Sequence, residues 1–113
     1  MENTILITGN RQSGKTTCAL NAARGFAELG QSVLYVTLSI GIARRLFGRY
    51  SVPKTLRFCS ITQIYDVYDK KSPPDVIVLD DVGDMAGQES GDAFAHNIAK
   101  EFKCSVWATM TVE

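Results

Sequence analysis

The chain is poor in the residues that mark secreted, membrane-spanning or metal-caged proteins. Its 113 residues hold 3 cysteines, 3 prolines and 1 histidine. Cys18, Cys59 and Cys104 are odd in number and widely spaced, which excludes a disulfide framework and a C-x-x-C metal pair. Reduced thiols in a cytoplasmic compartment are therefore expected. His96 has no Cys or His at ligand spacing and reads as an ordinary helix-surface residue. No apolar run approaches the ~20 residues that cross a bilayer, so no membrane partner is expected. No basic stretch precedes Ile5–Ile7, so a secretory leader is not expected. What is present is ordinary: 45% apolar and 21% charged residues, enough for one globular domain over residues 1–113.

Net charge is also lacking, but only in total. From Leu29 to Tyr65 the charged residues are Arg44, Arg45, Arg49, Lys54 and Arg57, a balance of +5. From Asp66 to Glu101 nine acids face three lysines, a balance of −6. The basic middle either offers a face to an anion such as nucleic acid or neutralises the acidic segment within one fold.

Apolar runs and helical periods alternate along the chain. Ile5–Thr8, Ser32–Leu38, Leu56–Ser60, Asp75–Asp80 and Ser105–Thr111 read as strands, largely apolar throughout. A helix from Lys15 places Ala19, Ala22, Ala23, Phe26 and Leu29 on one side, with Gly30 at its C-terminal cap. Ile40–Tyr50 has helical spacing weakened by Gly41 and Gly48. Ile61–Tyr68 reads as a short helix with Ile64, Tyr65 and Tyr68 packed, and Asp92–Lys103 as an amphipathic one through Phe94, Ile98 and Phe102. Val82–Gly91, with three glycines, reads as a mobile loop. Strands without alternation, separated by helices, predict a parallel sheet of four to five strands covered on both faces, a three-layer α/β/α core.

Gly9-Asn10-Arg11-Gln12-Ser13-Gly14-Lys15-Thr16 fits G-x-x-x-x-G-K-[ST], after a strand and opening a helix. A loop of this length curls so that successive backbone N–H groups point inward at a phosphate. The helix start adds unpaired N–H groups and the positive end of its dipole. Gly9 permits the turn out of the strand, and Gly14 lets backbone approach the phosphate without a Cβ. Lys15 reaches the β- and γ-phosphates, and the hydroxyl of Thr16 suits Mg²⁺. Gly9 through Thr17 are thus the candidate nucleotide-binding residues.

This is the Walker A motif, and the chain resembles the P-loop NTPase superfamily. The resemblance implies a three-layer P-loop core and a buried strand ending in aspartate, which Val76–Asp81 supplies. It implies that Asp80 holds Mg²⁺ opposite Thr16. It also implies that Asp81 stands where additional-strand ATPases place the acid that activates the attacking water, commonly a glutamate. Lys15 and Asp81 are therefore the catalytic candidates, Thr16 and Asp80 the metal candidates, and ATP with Mg²⁺ the expected ligands. Asp80-Asp81-Val82-Gly83 also satisfies the D-x-x-G of GTPases, but no N-K-x-D motif accompanies it, which favours ATP. In RecA-like and AAA-like ATPases a polar residue on the final strand senses the γ-phosphate, which makes Thr109 or Thr111 candidates; β-propensity alone also accounts for both.

Three functions stay open. One is a small ATPase coupling nucleotide chemistry to a conformational or assembly event, with Arg44, Arg45 and Arg49 available for nucleic acid (DNA included) or as an arginine finger for another copy or a protein partner. Another is a nucleotide-gated interaction module with negligible hydrolysis. The third is a transferase, since Gly9-Asn10, Gly14–Thr17, Ala19-Leu20, Arg24, Leu29-Gly30 and Val33 are similar to the opening of cobalamin adenosyltransferases.

Overall fold

The computed structural model describes residues 4–9, 15–39, 41, 42, 45, 54–67, 73–85 and 90–111, with positions 15, 84 and 111 described by backbone alone. The elements run β1 (Thr4–Gly9), α1 (Lys15–Glu28), β2 (Val33–Thr37), β3 (Leu56–Ser60), a 3₁₀ turn (Ile61–Gln63), α2 (Ile64–Val67), β4 (Val76–Leu79), α3 (Val82–Met85), α4 (Gly91–Phe102) and β5 (Ser105–Thr111). Among the described residues the strands form one five-stranded sheet in the order β1-β5-β4-β2-β3, with every pairing parallel. The last strand in sequence therefore lies between the first strand and the strand that ends in aspartate.

The two sheet faces sort by residue parity, as the pleat requires. On one face Leu34, Val36, Ile77, Leu79, Val106 and Ala108 pack against Ala95, Ile98, Ala99 and Phe102 of α4. On the other, Val33, Tyr35, Val76 and Val78 pack against Ala19, Leu20, Ala23 and Ala27 of α1. This is the expected α/β/α architecture. β2 and β4 are buried at every position because both faces are covered.

Four expectations are corrected. The first apolar run is an edge strand with alternating exposure, and Ile5 and Ile7 remain 49% and 36% exposed. Leu29 does not pack: α1 ends at Glu28, Gly30 turns at φ 89°, and Leu20 takes the buried place. Tyr65 is exposed, although its ring meets Phe102 and its hydroxyl donates to both oxygens of Glu101 at 2.9 Å. Val82–Gly91 is not all loop. Val82–Met85 forms a helical turn with Val82 fully buried, and Gly91 opens α4 after Ser90, whose hydroxyl accepts from the Ala93 N–H. Of the Ile40–Tyr50 helix, Gly41, Ile42 and Arg45 are helical; the rest lies outside the described residues, Arg44 and Arg49 included.

Candidate functional site

Parallel strands deliver their C-terminal ends to one edge of the sheet, where ligands of open α/β folds sit. β1 ends there at Gly9, opposite Thr111 of β5. α1 begins at Lys15, as the motif requires; Asn10 through Gly14 and the Lys15 side chain lie outside the described residues. Thr16 and Thr17 are exposed at the first turn of α1.

Asp80 follows β4 directly. Its backbone N–H donates to the Val36 carbonyl at 3.0 Å, which continues the β4–β2 ladder by one residue and fixes where the carboxylate emerges. That carboxylate is 9% exposed. Such a group requires polar partners, and hydroxyls from three elements supply them. Tyr35 on β2 donates to Oδ2 at 2.9 Å. Thr109 on β5 donates to Oδ1 at 3.1 Å. The Thr16 hydroxyl on α1 lies 3.5 Å from Oδ1. The fold thus brings Thr16 and Asp80, the two metal candidates, side by side across 64 positions of chain.

Asp81 adopts φ 67°, left-handed backbone that few non-glycine residues adopt and Asp tolerates comparatively well. Its N–H donates to the Thr109 hydroxyl at 2.8 Å. Thr109, completely buried, therefore ties the two acids to each other. The left-handed residue turns the chain from β4 into α3, and the half-buried Asp81 side chain stays at the sheet edge. Neighbouring hydroxyls line the same edge at β2 and β3. Thr37 donates to the Ser39 carbonyl at 2.7 Å, and Ser60 shares a 2.9 Å bond with Thr62.

The donor set suits a hard cation. A neutral hydroxyl and a carboxylate are both oxygen ligands, and Mg²⁺ takes one or two protein ligands and completes its shell with water and phosphate. Among the described residues no group of three or more His, Cys, Asp or Glu could cage a metal. When bound, Mg²⁺ would neutralise charge on a triphosphate, and Thr16 and Asp80 are the residues that could hold it.

One contributor escaped the sequence reading. Tyr35 sits inside an apolar strand and looks like core. The available signal was its hydroxyl, since a buried tyrosine usually finds a hydrogen-bond partner.

No family model matches the chain, and no curated protein matches it. Solved structures do. A KaiC-like protein from the archaeon Pyrococcus horikoshii superposes with a TM-score of 0.69 at 21% identity, over 98% of this chain and 62% of that one. The flagellar accessory protein FlaH from Methanocaldococcus jannaschii superposes with a TM-score of 0.61 at 18% identity, over 97% of this chain and 61% of that one. The chain thus spans about three-fifths of the length of these neighbours. At such identities the likeness establishes the fold: a RecA-like α/β sheet covered by helices on both sides.

Proposed function

We propose that the chain is a Mg²⁺-dependent ATP-binding P-loop domain that works as a small ATPase, its turnover driving a conformational or assembly event. One observation carries the reading: a G-x-x-x-x-G-K-T segment joins β1 to α1, and its terminal threonine hydroxyl lies 3.5 Å from the buried aspartate that directly follows the central strand β4. Glycine-rich backbone, Lys15, Thr16 and Asp80 then serve one anion and one cation. The roles of Gly9, Asn10, Arg11, Gln12, Ser13, Gly14 and Thr17 as phosphate cradle belong to this proposal. So does Asp81 as the residue that orients or deprotonates the attacking water. Arg44, Arg45 and Arg49 as contacts to nucleic acid, or as a finger reaching another copy's site, are the proposal's outermost part. Arg45 is exposed, as either role requires.

The deciding experiment is a calorimetric titration with a non-hydrolysable ATP analogue and Mg²⁺. Lys15→Ala removes a charge-assisted contact worth about 1.5–3 kcal/mol, so affinity falls roughly 10- to 150-fold. Equal affinity in both proteins removes the phosphate site. Phosphate release measured alongside separates the ATPase from a nucleotide-gated module, which binds as tightly and releases nothing. Single- and double-stranded DNA added to the same assay tests the arginine surface: Arg44→Glu/Arg45→Glu abolishes stimulation if that surface contacts nucleic acid.

A further inference from the structure

Asp80 is held from two strands at once, and the donors are not interchangeable. The Asp81 N–H donates to the oxygen of Thr109, so the single hydroxyl proton of Thr109 is directed at Asp80 Oδ1. Oδ1 is also the oxygen that lies 3.5 Å from Thr16. Oδ2 points the other way, into the sheet, where the Tyr35 hydroxyl meets it at 2.9 Å. Tyr35 is completely buried, and its ring packs against Phe58 of β3 with centroids 5.3 Å apart and planes tilted by 48°. A ring fixed in that way cannot carry its hydroxyl elsewhere. The carboxylate plane of Asp80 is therefore set by β2 on one oxygen and by β5 on the other.

We propose that Tyr35 is a positioning residue for the cation site: by fixing Oδ2 from the middle of β2, its hydroxyl presents Oδ1 of Asp80 toward Thr16. This rests on the Mg²⁺–nucleotide reading above. Without the Tyr35 bond, a carboxylate hinged only through Oδ1 can rotate about its terminal torsion, which is soft for Asp. The oxygen offered to the cation then loses its fixed direction. Partners that orient a metal ligand affect metal affinity without touching the metal. The effect on nucleotide alone is expected to be small, because the Tyr35 hydroxyl proton is committed to Asp80.

The test is Tyr35→Phe, which keeps the ring and its packing against Phe58 and removes one oxygen. Binding of the ATP analogue is titrated in EDTA, and Mg²⁺ is then titrated into the saturated complex. The expected result is unchanged affinity for metal-free nucleotide and Mg²⁺ affinity weaker by about 10-fold. Equal Mg²⁺ affinity in the two proteins overturns the proposal, and so does a loss of the same size with and without Mg²⁺, which is what a merely structural tyrosine would give. Should the variant not fold, 3-fluorotyrosine in the unsubstituted protein gives a second readout. Of the resonances from 4 tyrosines, that of Tyr35 shifts when Mg²⁺ enters the nucleotide complex; a Tyr35 signal that stays still overturns the proposal. Failure of the unsubstituted protein to bind any nucleotide is a different result, and it removes the functional reading on which this one stands.

Discussion

β1 and β4 each bring one half of the site to the same sheet edge, by opposite means. β4 is central, buried at every position, and its terminal Asp80 is gripped by hydroxyls from α1, β2 and β5. Among the described residues β1 is an edge strand, with alternating exposure and β5 as its one neighbour. The carboxylate half is thus positioned by the protein's own packing before any ligand arrives. In the proposed function the anion half rests on the segment that joins β1 to α1, and a phosphate-binding loop of that kind takes its polar satisfaction from the ligand. Preorganisation is concentrated where a charge must be held still, at the centre of the sheet.

The contrast can be broken by shaving each strand. Ile77 on β4 is completely buried against α4, and Ile77→Ala should cost about 2–5 kcal/mol by loss of burial and the cavity left behind. Ile7 on β1 is 36% exposed. Ile7→Ala should cost about 1 kcal/mol, since much of its side chain never leaves water. Urea unfolding measures both. Equal losses would mean that β1 is as deeply packed as β4.

Asp81→Asn sharpens the same contrast at the chemistry. Asn shares with Asp a tolerance for left-handed backbone, so the turn at φ 67° is kept and only the charge goes. Loss of a proton-accepting group predicts turnover down by about 100-fold or more with nucleotide affinity unchanged. An equal fall in affinity would show that Asp81 helps to hold the ligand and is not the group that activates water.

Two glycines carry the comparison to the helices. Gly25 in α1 has open space where a Cβ would stand, and Gly25→Ala should stabilise by about 0.5–1 kcal/mol through helix propensity. Gly91 opens α4 against β5 and α3, where a Cβ would stand 2.9 Å from Val82 Cγ2 and 2.5 Å from Met110 Sδ. Gly91→Ala should destabilise by about 1 kcal/mol or more, as overpacking does. Opposite signs in denaturant melts are the expected result; two stabilised variants would show that α4 can shift off the sheet.

Much of this was legible because buried parallel strands carry continuous apolar runs. Val33–Thr37 and Val76–Leu79 declare themselves, and an acid directly after such a run must emerge at the ligand edge. The eight-residue motif gave Thr16 by spacing alone. Ile5-Leu6-Ile7 looks like the same kind of strand, because a local pattern does not report whether a neighbour lies beyond it. α3 was hidden by Gly83, whose low helix propensity is overridden by the burial of Val82. Tyr35 was hidden because its partner is 45 positions away and on another strand, so only the fold brings hydroxyl and carboxylate together.

The opposite edge gives the smallest effect. Cys59 on β3 is buried, and that burial raises its thiol pKa from 9.0 to about 11, with Arg57 opposing weakly. The unfolded thiol starts to ionise near pH 9, while the folded one keeps its proton to about pH 11. Its contribution is therefore complete below pH 9 and is lost as pH rises from 9 to 11. Melting temperature should fall more steeply over that interval in the unsubstituted protein than in Cys59→Ala, whatever the two proteins' difference at pH 7. Iodoacetamide gives the companion readout. Exposed Cys18, near the start of α1, reacts in the folded protein, while Cys59 and Cys104 react only once it unfolds. Parallel pH slopes together with rapid labelling of Cys59 would show that the β3 edge opens as readily as β1 is exposed, and that firm packing is confined to the strands between them.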